Sequence, residues 1–189
     1  MKKIFFLTLT IVLTIPFSAS SQKQKIQFHS INTFELIGGE SNSRIGFQTV
    51  DGIQFSKWFS GFGIGVDKYG FKTVPLFFDL RKYFDKNNRA FFYGDIGYNF
   101  PMKKQDEKVN PYNSNYNFTG GSYTDLGIGY QFPFGKRSAF LISMGYSYKK
   151  LENKIGGVNY CPFDGRCPES YTINQYGLGR MIFKSGLIF

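Results

Sequence analysis

Between Phe59 and Phe100 the chain alternates apolar and polar positions at a strict period of two in three successive segments. Phe62, Ile64 and Val66 occupy the even positions of the first, against Gly61, Gly63, Gly65 and Asp67 on the odd ones. Val74, Leu76, Phe78 and Leu80 repeat the pattern, with Asp79 and Arg81 on the other side. In the third, Phe92, Ile96, Tyr98 and Phe100 face one way and Tyr93, Asp95, Gly97 and Asn99 the other. A two-residue repeat is that of extended strands, whose successive side chains point to opposite faces.

The same rhythm, less regular, runs through the rest of the chain. A first strand is expected over about Ile26 to Ile37, where Phe28, Phe34 and Leu36 share a face that Ser30 and Asn32 interrupt. A second, about Arg44 to Phe55, groups Ile45, Phe47, Ile53 and Phe55, with Asp51-Gly52 indicating a bulge or a change of facing. The third strand runs to about Tyr69, the fourth ends near Phe84, and the fifth stops at Pro101. The sixth, about Tyr123 to Phe132, sets Leu126, Ile128, Tyr130 and Phe132 against Asp125, Gly127, Gly129 and Gln131. Phe140, Ile142, Met144, Tyr146 and Tyr148 define the seventh, and Met181, Phe183, Leu187 and Phe189 the eighth. Residues 102–121 and 151–170, polar and rich in Asn, Tyr and Gly, read as long loops; Ser56–Trp58, Asp85–Asn88 and Pro133–Lys136 read as tight reversals. The tight reversals then share one end of the sheet and both long loops the other.

A soluble antiparallel sheet alternates too, so the question is which face meets what. Here the apolar face is continuous, aromatic and nearly free of charge in mid-strand, whereas the other mixes glycines with carboxylates and guanidinium groups. That is the pattern of a barrel with apolar residues facing lipid, a polar interior and aromatic girdles at the interfaces. The fold class expected is an all-β, eight-stranded antiparallel up-and-down transmembrane β-barrel. Its lipid-facing residues are Phe62, Ile64, Val66, Leu76, Phe78, Leu80, Ile96, Leu126, Ile128, Ile142 and Met144. Tyr98, Phe100, Tyr146 and Tyr148 would form the outer girdle, and Phe84, Tyr130, Phe132, Phe140 and Phe189 the inner one.

The first residues change the picture by adding an address. Lys2 and Lys3 precede an apolar run from Ile4 to Phe17, and Ser18-Ala19-Ser20-Ser21 supplies small residues for cleavage, so 1–21 reads as a cleavable secretory signal and 22–189 as the barrel. No later stretch approaches the ~20 consecutive apolar residues of a membrane helix. Of 189 residues, 20% are aromatic and 22 are glycine, a balance suited to girdles and curved strands. Formal charge is +10, and leaving out Lys2 and Lys3, with no acid before Gln22, leaves about +8. In an exported chain whose basic residues do not gather on one element, the expected counterparts are outer-membrane lipid and lipopolysaccharide rather than nucleic acid.

Eight amphipathic strands behind a signal, ending in Gly186-Leu187-Ile188-Phe189, resemble the small eight-stranded outer-membrane barrels of the OmpA/OmpX type, and more closely the short barrels of that class without an assigned role. The resemblance covers the mature chain and implies residence in the outer membrane of a Gram-negative cell, with Phe189 as the signal read by the barrel-assembly machinery. Such relatives serve as anchors, adhesion surfaces, lipid-modifying enzymes or subunits of envelope complexes, so the fold alone does not choose among them.

The inward charges Glu35, Asp67, Asp79, Arg81, Asp95, Asp125, Arg180 and Lys184 invite a catalytic or ion-path reading. An eight-stranded barrel, however, is just wide enough for its own side chains, and enclosed charges must pair. A structural ion-pair network is expected, with Glu35 near Arg180 or Lys184 once the first and last strands meet, and Asp79, Arg81 and Asp95 pairing across the fourth and fifth. The inward glycines make room for Phe77, Phe91 and Tyr93. His29, the one histidine, is expected at a rim without a catalytic partner, and no metal or cofactor site is expected. Gly61-Phe62-Gly63-Ile64-Gly65 is a strand rather than a dinucleotide loop, since no helix follows it. Cys161 and Cys167 fall in the last loop of an exported chain, where a disulfide closing so short a loop adds ~2 kcal/mol and chiefly fixes its shape.

The functional expectation is a barrel without an open pore that anchors two long extracellular loops. Its role would be structural, or interaction with an envelope or extracellular protein through 102–121 and 151–170. The alternatives are a lipid-modifying outer-membrane enzyme, a narrow channel, or a subunit of an envelope secretion or assembly complex.

Overall fold

The computed structural model describes residues 26–38, 43–68, 72–102, 116–135, 138–157 and 170–189. Strands β1 (Gln27–Ile37), β2 (Arg44–Phe55), β3 (Trp58–Lys68), β4 (Lys72–Tyr83) and β5 (Ala90–Pro101) form where period two was read from the sequence. They are followed by β6 (Tyr116–Thr119), β7 (Gly121–Pro133), β8 (Ala139–Gly157) and β9 (Ser170–Ile188). Each pairs antiparallel with its neighbour, and β9 pairs with both β8 and β1, so the sheet closes on itself. β6 and β7 are two halves of one barrel strand, both laid along β8 and separated at Gly120. The result is a closed, all-β, eight-stranded antiparallel barrel of the transmembrane type, with no helix among the described residues. Closure matters because it leaves no edge of unpaired backbone groups in a medium without water.

Burial alternates residue by residue, as the pleat requires. Along β4 the positions Thr73, Pro75, Phe77, Asp79, Arg81 and Tyr83 are buried, while Leu76, Phe78 and Leu80 are exposed. Interior close packing depends on glycine in a few places. A Cβ on Gly63 would come within 2.4 Å of the Phe77 ring, on Gly129 within 2.3 Å of Phe91, and on Gly145 within 2.4 Å of the Tyr93 hydroxyl. These three inward rings are the ones the glycine pattern makes room for.

Three features depart from the sequence reading. The Asp51-Gly52 bulge does not form: β1 and β2 keep one register from Gln27↔Gln54 to Ile37↔Arg44, which leaves Asp51 on the outward face. The segment 151–170 is not all loop, since β8 continues to Gly157 and β9 begins at Ser170, the two paired throughout. Within 102–121, Tyr116–Thr119 is strand and lies beside Glu152 to Ile155 of β8. Interstrand bonds continue past the apolar belt at this end because the backbone can keep pairing after its side chains have ceased to alternate. Cys161 and Cys167 lie outside the described residues, as do residues 1–25 with the signal segment.

The short-turn end is laced together. The Asn88 side chain donates to the Ser56 carbonyl at 3.3 Å, Gln131 donates to the Asn88 carbonyl, and Tyr83 donates to Gln131 at 3.4 Å. Ser56 and Asn88 both take left-handed φ, 58° and 53°, which a tight reversal demands and which serine and asparagine side chains tolerate at turns. Asp85 organises its turn by accepting from the backbone N–H of Asn87, Arg89 and Ala90.

Candidate functional site

The interior is built from the inward positions of all eight strands and falls into three levels. Nearest the short turns, Phe59, Tyr83, Phe91, Ile31, Leu141, Ala139 and Ile188 form an apolar cluster. Arg81 stands at its edge, donating to Asp79 through Nε at 3.0 Å and Nη2 at 2.7 Å, with its guanidinium 5.5 Å and 5.3 Å from the Phe59 and Phe91 rings. The pair is two residues apart on β4, so one strand supplies both charges. A planar fork held between a carboxylate and two ring faces is the geometry that arginine satisfies and lysine does not.

At the middle level one ammonium serves three carboxylates. Lys184 on β9 lies 2.8 Å from Asp125, 3.2 Å from Asp95 and 3.5 Å from Glu35, and also donates to Gln48 at 3.2 Å. Four other strands thus converge on β9 at this point. Glu35 is the direct cross-strand partner of Lys184. Asp95 has no such relation: its cross-strand neighbours are Asp79 and Asp125, carboxylates both, and Lys184 reaches it through the lumen. Tyr93 donates to Asp125 at 3.2 Å and sets its ring 4.7 Å from the Lys184 ammonium.

Toward the long loops, Lys149 and Asp67 form an ion pair, Thr73 donates to the second Asp67 oxygen, and the Tyr123 ring lies 4.8 Å from the Lys149 ammonium. Beyond this level Ile37 and Ile182 pack with Leu178. Lys149 is absent from the set read off the sequence, which defines the seventh strand by its outward residues up to Tyr148. The signal was available: buried positions 141, 143, 147 and 149 continue one odd-numbered face of β8.

Seven of the eight inward charges named from the sequence, Glu35, Asp67, Asp79, Arg81, Asp95, Asp125 and Lys184, are buried and contribute to these pairs. Arg180 does not join them. It is half-buried on the inward side of β9 opposite Ser147, and no ion pair to it exists among the described residues. It stands four residues nearer the long loops than Lys184, which keeps it apart from Glu35. The pairing expected of Arg81 across β4 and β5 is also different, since Arg81 takes Asp79 of its own strand and leaves Asp95 to Lys184.

The outward set is exposed from Phe62 at 73% to Phe78 at 37%, with Ile64, Val66, Leu76, Leu80, Ile96, Leu126, Ile128 and Met144 between them. Ile142 points outward too but is half-buried, in a shallow apolar groove with Phe84, Phe92, Ile128, Tyr130 and Phe183. Phe189 is exposed, and its backbone exchanges two hydrogen bonds with Ser30. His29 faces inward opposite Gly52 at the short-turn end and has no side-chain hydrogen-bond partner among the described residues. No group of three His, Cys, Asp or Glu side chains suited to a metal ion occurs among the described residues.

The sequence matches no family model and no curated protein. Among solved structures the chain is similar to the outer membrane protein OprG from Pseudomonas aeruginosa, with 12% identity, a TM-score of 0.52, and coverage of 87% of this chain and 95% of that one. It is similar also to the outer membrane protein AlkL, determined in DMPC lipid bilayers, with 11% identity, a TM-score of 0.51, and coverage of 90% and 92%. At such identities the likeness is one of fold: both neighbours are outer-membrane β-barrels.

Proposed function

We propose that the protein is a small barrel of the OmpA/OmpX kind in the outer membrane of a Gram-negative cell, where its body anchors two surface segments and conducts no solutes. The observation that carries this reading is the filled interior. Aromatic rings, the Arg81–Asp79 fork, the Lys184 cluster and the Lys149–Asp67 pair succeed one another along the axis, each tied to the wall by short contacts. Opening a continuous path requires separating Lys184 from carboxylates in a site shielded from water, which costs several kcal/mol. The paired backbone of β8 and β9, continued by β6, makes the long-loop end a stiff projection rather than a slack tether, a form suited to presenting a binding surface to an envelope or extracellular protein.

Within this reading residues 1–21 are removed on export, Cys161 and Cys167 form a disulfide that shapes the last loop, and the basic balance favours outer-membrane lipid and lipopolysaccharide as surroundings. With no nucleophile paired to His29 among the described residues, the protein is read as a non-enzyme. The test is conductance. Purified protein in planar bilayers is expected to be electrically silent, and stable unitary currents that persist across preparations would replace the anchor with a channel.

A further inference from the structure

The outward face is not uniform. On β3 the outward positions between Ser60 and Lys68 are Phe62, Ile64 and Val66, and on β4 those between Lys72 and Lys82 are Val74, Leu76, Phe78 and Leu80. Nothing there can donate or accept a hydrogen bond. On β1 and β2 the middle of the same face is polar: Ser30 and Asn32 on one strand, Thr49 and Asp51 on the other. The register sets Ser30 opposite Asp51 and Asn32 opposite Thr49, so the four make a two-by-two block. Apolar pairs close it above and below, Phe34↔Phe47 with rings 5.3 Å apart on one side and Phe28↔Ile53 on the other.

Asp51 is exposed and has no hydrogen bond or ion pair among the described residues. A carboxylate, an amide and two hydroxyls presented to hydrocarbon are each unfavourable unless something polar meets them. Their arrangement specifies what that can be. Three groups able to donate, Ser30 and Asn32 on β1 and Thr49 on β2, stand beside Asp51 on β2, a carboxylate that only accepts.

We propose that this block is the contact surface for a second copy of the chain, in a dimer whose two-fold axis runs parallel to the barrel axis. Such an axis is the one that keeps both copies in the same orientation across a bilayer, and through the centre of the block it carries β1 onto β2 of the other copy at equal height. At equal height each Asp51 then faces Ser30 of the partner subunit and each Thr49 faces Asn32 of the partner subunit, so the patch complements itself as an isologous interface must. The surrounding Phe28, Phe34, Phe47 and Ile53 form a ring that keeps lipid and water from the buried hydrogen bonds.

The experiment counts subunits in proteoliposomes of outer-membrane lipid by single-molecule photobleaching across a range of protein-to-lipid ratios. Dimers are expected in the wild type. Asp51→Leu and Asn32→Leu are each expected to weaken association at least tenfold while keeping heat-modifiable migration, whereas Leu126→Ala on the opposite wall leaves it unchanged. Should Asp51→Leu fail to fold, Asn32→Leu, which removes no charge, gives the same reading. A wild type that stays monomeric at every ratio overturns the proposal, as do both leucine variants dimerising like the wild type. A photo-crosslinker at Thr49 in intact cells should yield an adduct of twice the monomer mass; an adduct with another protein, or with lipid alone, assigns the block to that occupant instead. None of these outcomes depends on whether the barrel conducts.

Discussion

Side chains one residue apart on the same strand live in opposite solvents here. Asp79 is 1% exposed and its neighbour Leu80 is 42% exposed; Asp95 is 2% exposed beside Ile96 at 64%. In a water-soluble sheet the assignments would be reversed. Lumen and outer face are therefore stabilised by different rules. Inside, a charge is tolerated because another charge or donor reaches it; outside, Asp51 apart, a charge is tolerated where the strand nears an interface. The contrast separates two kinds of lesion that look alike in sequence, the loss of a buried partner and the gain of an unpartnered charge.

The heaviest blow to the lumen is Lys184→Met. It leaves Glu35, Asp95 and Asp125 without their shared cation, and removing one member of a buried pair costs ~3–5 kcal/mol. The expected outcome is loss of the compact, heat-modifiable band, or an unfolding free energy, from urea titration in detergent, lowered by that amount. Adding Asp95→Asn and Asp125→Asn should recover much of the loss. If the single variant is as stable as the wild type, the network is ornamental and the case for a closed lumen weakens.

On the outer face the corresponding change is Ile64→Lys, which places an ammonium in the middle of the β3 belt and should cost ~2–4 kcal/mol at the bilayer midplane. Folding yield into vesicles measures it. The natural Lys68, four residues toward the long loops on the same exposed face, is the internal control, since the cost falls steeply toward an interface. Smaller still is Gly129→Ala. Its Cβ would stand 2.3 Å from the Phe91 ring and 2.8 Å from Ser143, and overpacking of this sort costs ~1–3 kcal/mol. Pairing it with Phe91→Leu should restore the urea midpoint if the glycine is there for the ring.

What could be read from sequence follows from the same contrast. Strand positions and facing were legible wherever lipid lies on one side and a packed lumen on the other, because Phe78 and Asp79, or Ile96 and Asp95, could not exchange places. The rhythm fades once a strand leaves the belt and meets water on both faces, which is why β8 past Lys150 reads as loop and β9 is legible only from about Arg180. Lys149 was lost in that transition though its odd position was still informative. Pairing partners were less legible than facing. Glu35 and Lys184 are register neighbours, but Asp95 and Lys184 meet only through the lumen, and Arg81 turned to its own strand. Asp51 was misread for the opposite reason: a polar residue on the apolar face looked like a change of register, when the register is continuous and the residue itself is the anomaly.

A residue belonging to neither face marks the lower limit of the comparison. Asp85 sits half-buried in the β4–β5 turn, accepting from Arg89 at 2.6 Å, Ala90 at 3.1 Å and Asn87 at 3.2 Å. Desolvation pushes its carboxyl upward, but the backbone N–H groups of Arg89, Ala90 and Asn87 outweigh it and hold the group below the ordinary aspartate value. A carboxyl depressed in the folded state adds stability that is fully present above its unfolded pKa of about 3.9 and is lost as pH falls through the lower folded value. Asp85→Asn should therefore lower the urea midpoint slightly and evenly from neutral pH down to about pH 5, and the gap between variant and wild type should close below about pH 4. A gap that stays unchanged however far the pH falls below the unfolded value would mean that Asp85 acts on the turn through its shape and not its charge.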